Sequence, residues 1–149
     1  MNDVDLIKAH LVGDFVTSFS VGSTGWSIQF SECEYVLLAQ NLASPVEALL
    51  NELYQKNFPV VSKTADKGDV AKSTIMSCCL RQKIRDIKLD TKKNLEINYE
   101  NDISITCPTD MDMVDWQWSF TRDGKCPYTT NTLLIGCLWQ GEIERGKTS

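Results

Sequence analysis

The chain has 149 residues, 42% hydrophobic and 23% charged, which is enough apolar material for the core of one domain and rules against wholesale disorder. A net charge of −5 and a pI near 4.8 exclude the basic footprint of a general nucleic-acid binder and suit a partner that is itself basic. No apolar run approaches the ~20 residues of a membrane span, and the opening Met1–Asp5 is acidic where a signal peptide would be basic, so the expected location is the cytoplasm.

Asp3 is placed to cap a short helix that runs to about Leu11, with Val4, Ile7 and Leu11 on one face and Gly13 closing it. From Asp14 the period changes to two. Val16, Phe19 and Val21 lead to a Gly22-Ser23-Thr24-Gly25 turn, and Trp26, Ile28 and Phe30 alternate with Ser27 and Gln29. Ser31–Glu34 turns the chain again into an apolar strand from Tyr35 to Ala39. Ser44-Pro45-Val46-Glu47 is a helix start, and Val46, Leu49, Leu50 and Leu53 form the expected buried stripe of a helix ending near Gln55, before Pro59. Residues 62–69 are polar and predict a mobile loop. Ser73–Leu80 fits helix and buried strand equally well.

Ile84, Ile87 and Leu89 then lead into Asn94–Phe120, which reads as three strands and holds six acidic residues and no Lys or Arg. Leu95, Ile97 and Tyr99 alternate with polar residues, Asn101-Asp102 turns the chain, and Ile103, Ile105 and Cys107 return. Val114, Trp116, Trp118 and Phe120 share one face of the third strand. This stretch is expected to form an acidic sheet surface over an aromatic underside, with Trp26, Trp116, Trp118 and Trp139 in the core. Thr132–Trp139 is a last strand, and Arg145–Ser149 a frayed tail.

The two halves repeat one another. The pattern Val16-x-x-Phe19-x-Val21, turn, Trp26-x-Ile28-x-Phe30 matches Ile84-x-x-Ile87-x-Leu89, turn, Leu95-x-Ile97-x-Tyr99 at a spacing of about 68 residues. The predicted fold is therefore α+β and mainly antiparallel β. Two weakly repeated β-meanders (about 14–40 and 82–107) share one sheet-rich domain, residues 1–149, with two or three short helices. Charge is segregated as well: Lys56–Lys93 carries ten basic and four acidic residues, between two stretches free of Lys and Arg.

Catalytic patterns are missing. His10 is the single histidine, and no Cys lies near it. The six cysteines contain no Cys-x-x-Cys pair and are expected to be reduced and mostly buried. Asp110-x-Asp112-x-x-Asp115 lacks the glycine and distal glutamate of a Ca²⁺ loop. The expectation is a non-enzymatic protein with no cofactor, no metal and no direct nucleic-acid or membrane partner. The alternatives are a small-molecule-binding or thiol-dependent domain using Cys78 or Cys79, and a generic adaptor subunit.

Leu11-Val12-Gly13-x-x-Val16, Trp26-x-Ile28-x-Phe30 and Val114-Asp115-Trp116-x-Trp118, set in a small acidic chain, resemble the immunity proteins that bacteria encode beside polymorphic toxins, including those of contact-dependent growth inhibition. The resemblance implies a protein that binds a cognate toxin domain, frequently a basic nuclease, and occludes its active site. The residues expected to carry that contact are the carboxylates Glu32, Glu34, Asp102, Asp110, Asp112 and Asp115, standing in for substrate phosphates, with Tyr128 as an aromatic anchor.

Overall fold

The computed structural model describes the chain apart from residues 23–24, 58–61, 63, 113–115, 140 and 148–149. Its elements are α1 (Asp3–Leu11), β1 (Val16–Gly22), β2 (Gly25–Phe30), β3 (Tyr35–Ala39), α2 (Glu47–Asn57), α3 (Lys67–Cys79), β4 (Ile84–Leu89), β5 (Leu95–Tyr99), β6 (Ser104–Cys107), β7 (Trp118–Arg122), β8 (Leu133–Trp139) and β9 (Glu142–Arg145). The fold is α+β, with every strand pair antiparallel. Six strands form one sheet in the order β1-β2-β3-β7-β8-β9, and β4-β5-β6 form a second. One cluster of buried side chains joins them, from Ile7 and Leu11 of α1 through Ile28, Leu37, Trp118 and Phe120 to Ile97 and Cys107. Among the described residues, no helix is long and apolar enough to cross a membrane.

The repeat is present in the backbone. In the first meander Val16 faces Phe30, Phe19 faces Ile28 and Val21 faces Trp26, with a bulge between Val16 and Ser18. In the second, Ile84 faces Tyr99, Ile87 faces Ile97 and Leu89 faces Leu95, with the bulge between Ile84 and Asp86. A bulge adds one residue and local twist, so sharing its position sharpens the match beyond simple alternation. The copies meet through reciprocal hydrogen bonds. Gly13 N–H donates to Ile84 C=O at 2.9 Å, and Arg81 N–H donates to Val16 C=O at 2.9 Å. Both donors are left-handed, Gly13 at φ 89 and Arg81 at φ 63. After each meander the chain also crosses to the other copy: Ala43 exchanges two hydrogen bonds with Thr106 of β6, and β7 pairs with β3. This crossing corrects the expected single sheet over Asn94–Phe120. β7 leaves β5 and β6, because pairing with β3 lets Trp118 and Phe120 pack under the larger sheet.

Helix α1 is capped one residue earlier than expected, by Asn2, whose side chain accepts from Asp5 N–H. Of residues 73–80, those up to Cys79 are helical, and Leu80 leaves the helix to bridge Val16. Ala71, Ile75, Met76 and Cys79 are buried at helical spacing, while the hydroxyls of Thr74 and Ser77 bond back to the carbonyls of Val70 and Ser73. Asp66 caps α3, so the helix takes in the end of the expected 62–69 loop.

The expected buried stripe of α2 is wrong. Val46, Leu49 and Leu53 are exposed, and only Leu50 packs against the core. The helix turns Glu47, Leu50 and Tyr54 inward instead. Tyr54 Oη lies 2.7 Å from Thr74 Oγ1, and Lys72 Nζ lies 3.7 Å from Glu47. Ser44 does not cap the helix: its hydroxyl donates to Ser104 C=O across the crossing between copies. Of the tryptophans, Trp26 and Trp118 are in the core, Trp116 is half-buried and Trp139 lies on the surface. Arg145 is not in a frayed tail. It closes β9 and donates to Asp3 Oδ1 and Met1 C=O.

Candidate surface for a basic partner

Two neighbouring loops build a cleft at one end of the small sheet. Asp90 accepts from the backbone of Lys92 and Asn94 and from the Asn94 side chain, which closes the β4–β5 loop on itself. Burial raises the Asp90 carboxyl, but the hydrogen bonds from Asn94 and Lys92 outweigh it and hold the group below its usual range. Asn94 Oδ1 then accepts from Thr109 N–H at 2.8 Å, and Thr109 Oγ1 donates to Lys92 C=O. The loop after β6 is held from beneath by Gln117, fully buried, whose amide both donates to and accepts from the Met111 backbone. Trp118 Nε1 donates to Lys93 C=O from the same side. The result is a cleft of about 660 Å³ lined by Lys92, Asn94, Thr109, Asp110, Asp112 and Gly141 among others.

Gly141 belongs to the β8–β9 turn, and Trp139 and Glu142 of the flanking strands line a second cleft. Trp139 pairs with Glu142 across the hairpin. Together with Tyr128, Leu138, Ile143 and Glu144 they enclose about 450 Å³. An adjoining groove of about 260 Å³ shares Tyr128, Leu138 and Glu144 and reaches Arg145 and Lys147. Trp139 is 59% exposed and Tyr128 55%, against a fully buried Trp118. Covering the open half of one such ring is worth roughly 3 kcal/mol at about 25 cal/mol per Å². Aromatic faces beside carboxylates attract cations twice, through the ring quadrupole and through charge.

Three of the expected contact residues, Asp110, Asp112 and Tyr128, therefore border this region, and Asp115 lies outside the described residues along with Val114. Glu32, Glu34 and Asp102 are exposed, as expected, but line neither cleft. Arg122 donates to Glu34 at 3.0 Å and stacks on Tyr35, and Arg85 donates to Asp102 at 3.0 Å. Trp139, Glu142 and Glu144 are additions that the sequence reading missed. The visible signal was the alternation Glu142-Ile143-Glu144 after an apolar strand, which is the pattern of one more edge strand.

The cysteines are free, three of them buried, so burial is less general than expected. Cys78 and Cys126 are exposed. Burial pushes the Cys79 and Cys107 thiols up to about 12, which keeps both protonated at neutral pH. The Tyr99 hydroxyl is buried beside the Cys79 sulfur without a well-formed hydrogen bond. His10 packs edge-on against Tyr35 at 5.4 Å. Among the described residues, no three His, Cys, Asp or Glu side chains gather as a metal site. No protein-family model, curated protein or solved structure matches the chain.

Proposed function

We propose that this chain is a non-enzymatic immunity protein that acts in the cytoplasm. It binds a cognate basic toxin domain, with nucleases as the class its acidity suits best, and occludes that domain's active site. The observation that carries this reading is the meeting of two clefts at the β8–β9 turn, with Asp110 and Asp112 on one side and Trp139, Tyr128, Glu142 and Glu144 on the other. The carboxylates take the place of substrate phosphates against the toxin's Lys and Arg, and the two aromatic rings supply the apolar anchor. The protonated state of Cys79 supports binding over thiol chemistry at that residue.

The test uses the domain encoded by the adjoining reading frame, with calorimetry for affinity and co-expression for protection of growth. Asp110→Lys, Asp112→Lys and Glu142→Lys combined are expected to weaken binding at least ~100-fold, the scale of lost buried charge pairs, and to abolish protection. Glu32→Lys, Glu34→Lys and Asp102→Lys combined change net charge equally and are expected to leave affinity within about tenfold. Equal loss from both triples would show that overall charge alone matters, and tight binding by the first triple would sink the assignment of this surface.

A further inference from the structure

β1 and β4 hold the same place in their meanders, and each forms the outer edge of its sheet. Their side chains differ in one consistent way. Where β4 carries Arg85, Asp86 and Lys88, β1 carries Thr17, Ser18 and Ser20. An edge strand presents unpaired backbone N–H and C=O groups, and charged side chains guard it against joining another chain. β4 is guarded in that way, and its charges are held by partners: Asp86 by Lys8 at 3.2 Å, Arg85 by Asp102 at 3.0 Å and Lys88 by Glu96 at 3.9 Å.

The remaining edges are protected too. β9 is four residues long and carries Glu142, Glu144 and Arg145. The outer side of β6 is met by Ala43, which both donates to and accepts from Thr106. β1 alone is seven residues without a charge or a proline. Arg81 engages its outer side at Val16. From Thr17 to Gly22 its only strand partner among the described residues is β2, and every side chain there is exposed except the half-buried Phe19.

We propose that β1 is a self-association edge, through which two copies of the chain pair antiparallel along Thr17–Val21, Ser18 opposite Ser20 of the other copy, and continue the six-stranded sheet across a molecular two-fold axis at Phe19. Antiparallel pairing of one strand with itself is what a two-fold requires. The charge pattern selects this occupant. The chain carries a net charge of −5, and β1 lets two copies meet with no charged side chain on the strand. A basic partner gains nothing from that neutrality. The hydroxyls of Thr17 and Ser18 are held by Gln29 of β2, at 3.3 and 2.7 Å, so they bring no charge to the edge, and the 44%-exposed Val21 gains a neighbour. This edge is separate from the acidic clefts, so the proposal stands or falls independently of the toxin reading.

Sedimentation equilibrium of the full chain from about 1 µM to about 1 mM tests it by mass action. The expected mass rises with concentration from 16.8 kDa towards twice that value. Ser18→Lys with Ser20→Lys places like charges across the proposed pair and is expected to weaken association at least ~30-fold while circular dichroism stays unchanged. Hydrogen exchange on the unaltered chain is the second measurement and decides alone if the variant does not fold. Alternate amides of Thr17–Val21 should slow as concentration rises. A monomer throughout the range overturns the proposal, as does a dimer in which β1 amides exchange unchanged. A dimer that survives Ser18→Lys/Ser20→Lys but is lost in Leu49→Glu/Leu53→Glu overturns it as well, by moving the contact to α2.

Discussion

Asp14 is buried to 7% exposure, and its carboxylate accepts from the backbone N–H groups of Phe15, Glu32 and Cys33, the last at 2.8 Å. It thereby holds the β2–β3 turn, which carries Glu32 and Glu34, against the segment where the two meanders cross. Asp14→Ala leaves those donors buried without an acceptor and is expected to cost about 2–4 kcal/mol, since hydrogen bonds to charged groups are the strong ones. The midpoint of urea denaturation measures it, with Asp14→Asn expected to lose less. The sequence marks Asp14 only as the point where periodicity changes. Its role is set by residues 18 and 19 positions downstream, which no local pattern displays. Asp110, Asp112 and Tyr128 were legible as polar-loop residues. Trp139 was not, because an aromatic at the end of an apolar strand looks like core until its neighbours are known.

At the scale of elements, alternation and two apolar runs, Tyr35–Ala39 and Thr132–Trp139, located eight of the nine strands among the described residues. A half-buried strand writes its burial into every second residue, and a strand covered on both faces into nearly all of them. Neither signal revealed that β7 pairs with β3, since pairing depends on which edge is open and not on the strand's own pattern. Helix α2 shows the opposite failure. Its apolar stripe is legible in the sequence but does not enter the core, because α2 packs on α3 through Glu47 and Tyr54 and only Leu50 reaches the core. Leu49, 60% exposed, should therefore tolerate Leu49→Glu within about 0.5 kcal/mol. Ile75→Ala on the buried face of α3 should cost about 2–5 kcal/mol. Thermal unfolding of the two variants separates these outcomes, and a large loss in Leu49→Glu would restore the stripe to the core.

At the scale of the whole molecule, two meanders of matching register are built so that neither completes itself. Helix α1 of the first copy packs on β4 of the second, with Ile7 and Leu11 fully buried, and α3 of the second touches β1 of the first. Residues after each meander pair with the last strand of the other, Ala43 with Thr106 and β7 with β3. Such an exchange makes the stability of each sheet depend on the other, so the chain should unfold as one cooperative domain. Two probes sit on the two sheets: Trp26 and Trp118 in the larger, and Cys107 in the smaller, where its thiol is fully buried. Tryptophan fluorescence and alkylation of Cys107, assigned by peptide mapping across a urea series, should share one midpoint. Ile7→Ala, placed on α1, should lower both midpoints together by about 2–5 kcal/mol of stability. Alkylation of Cys107 at urea concentrations that leave fluorescence native would instead show two separable halves, joined by contacts too weak to couple them.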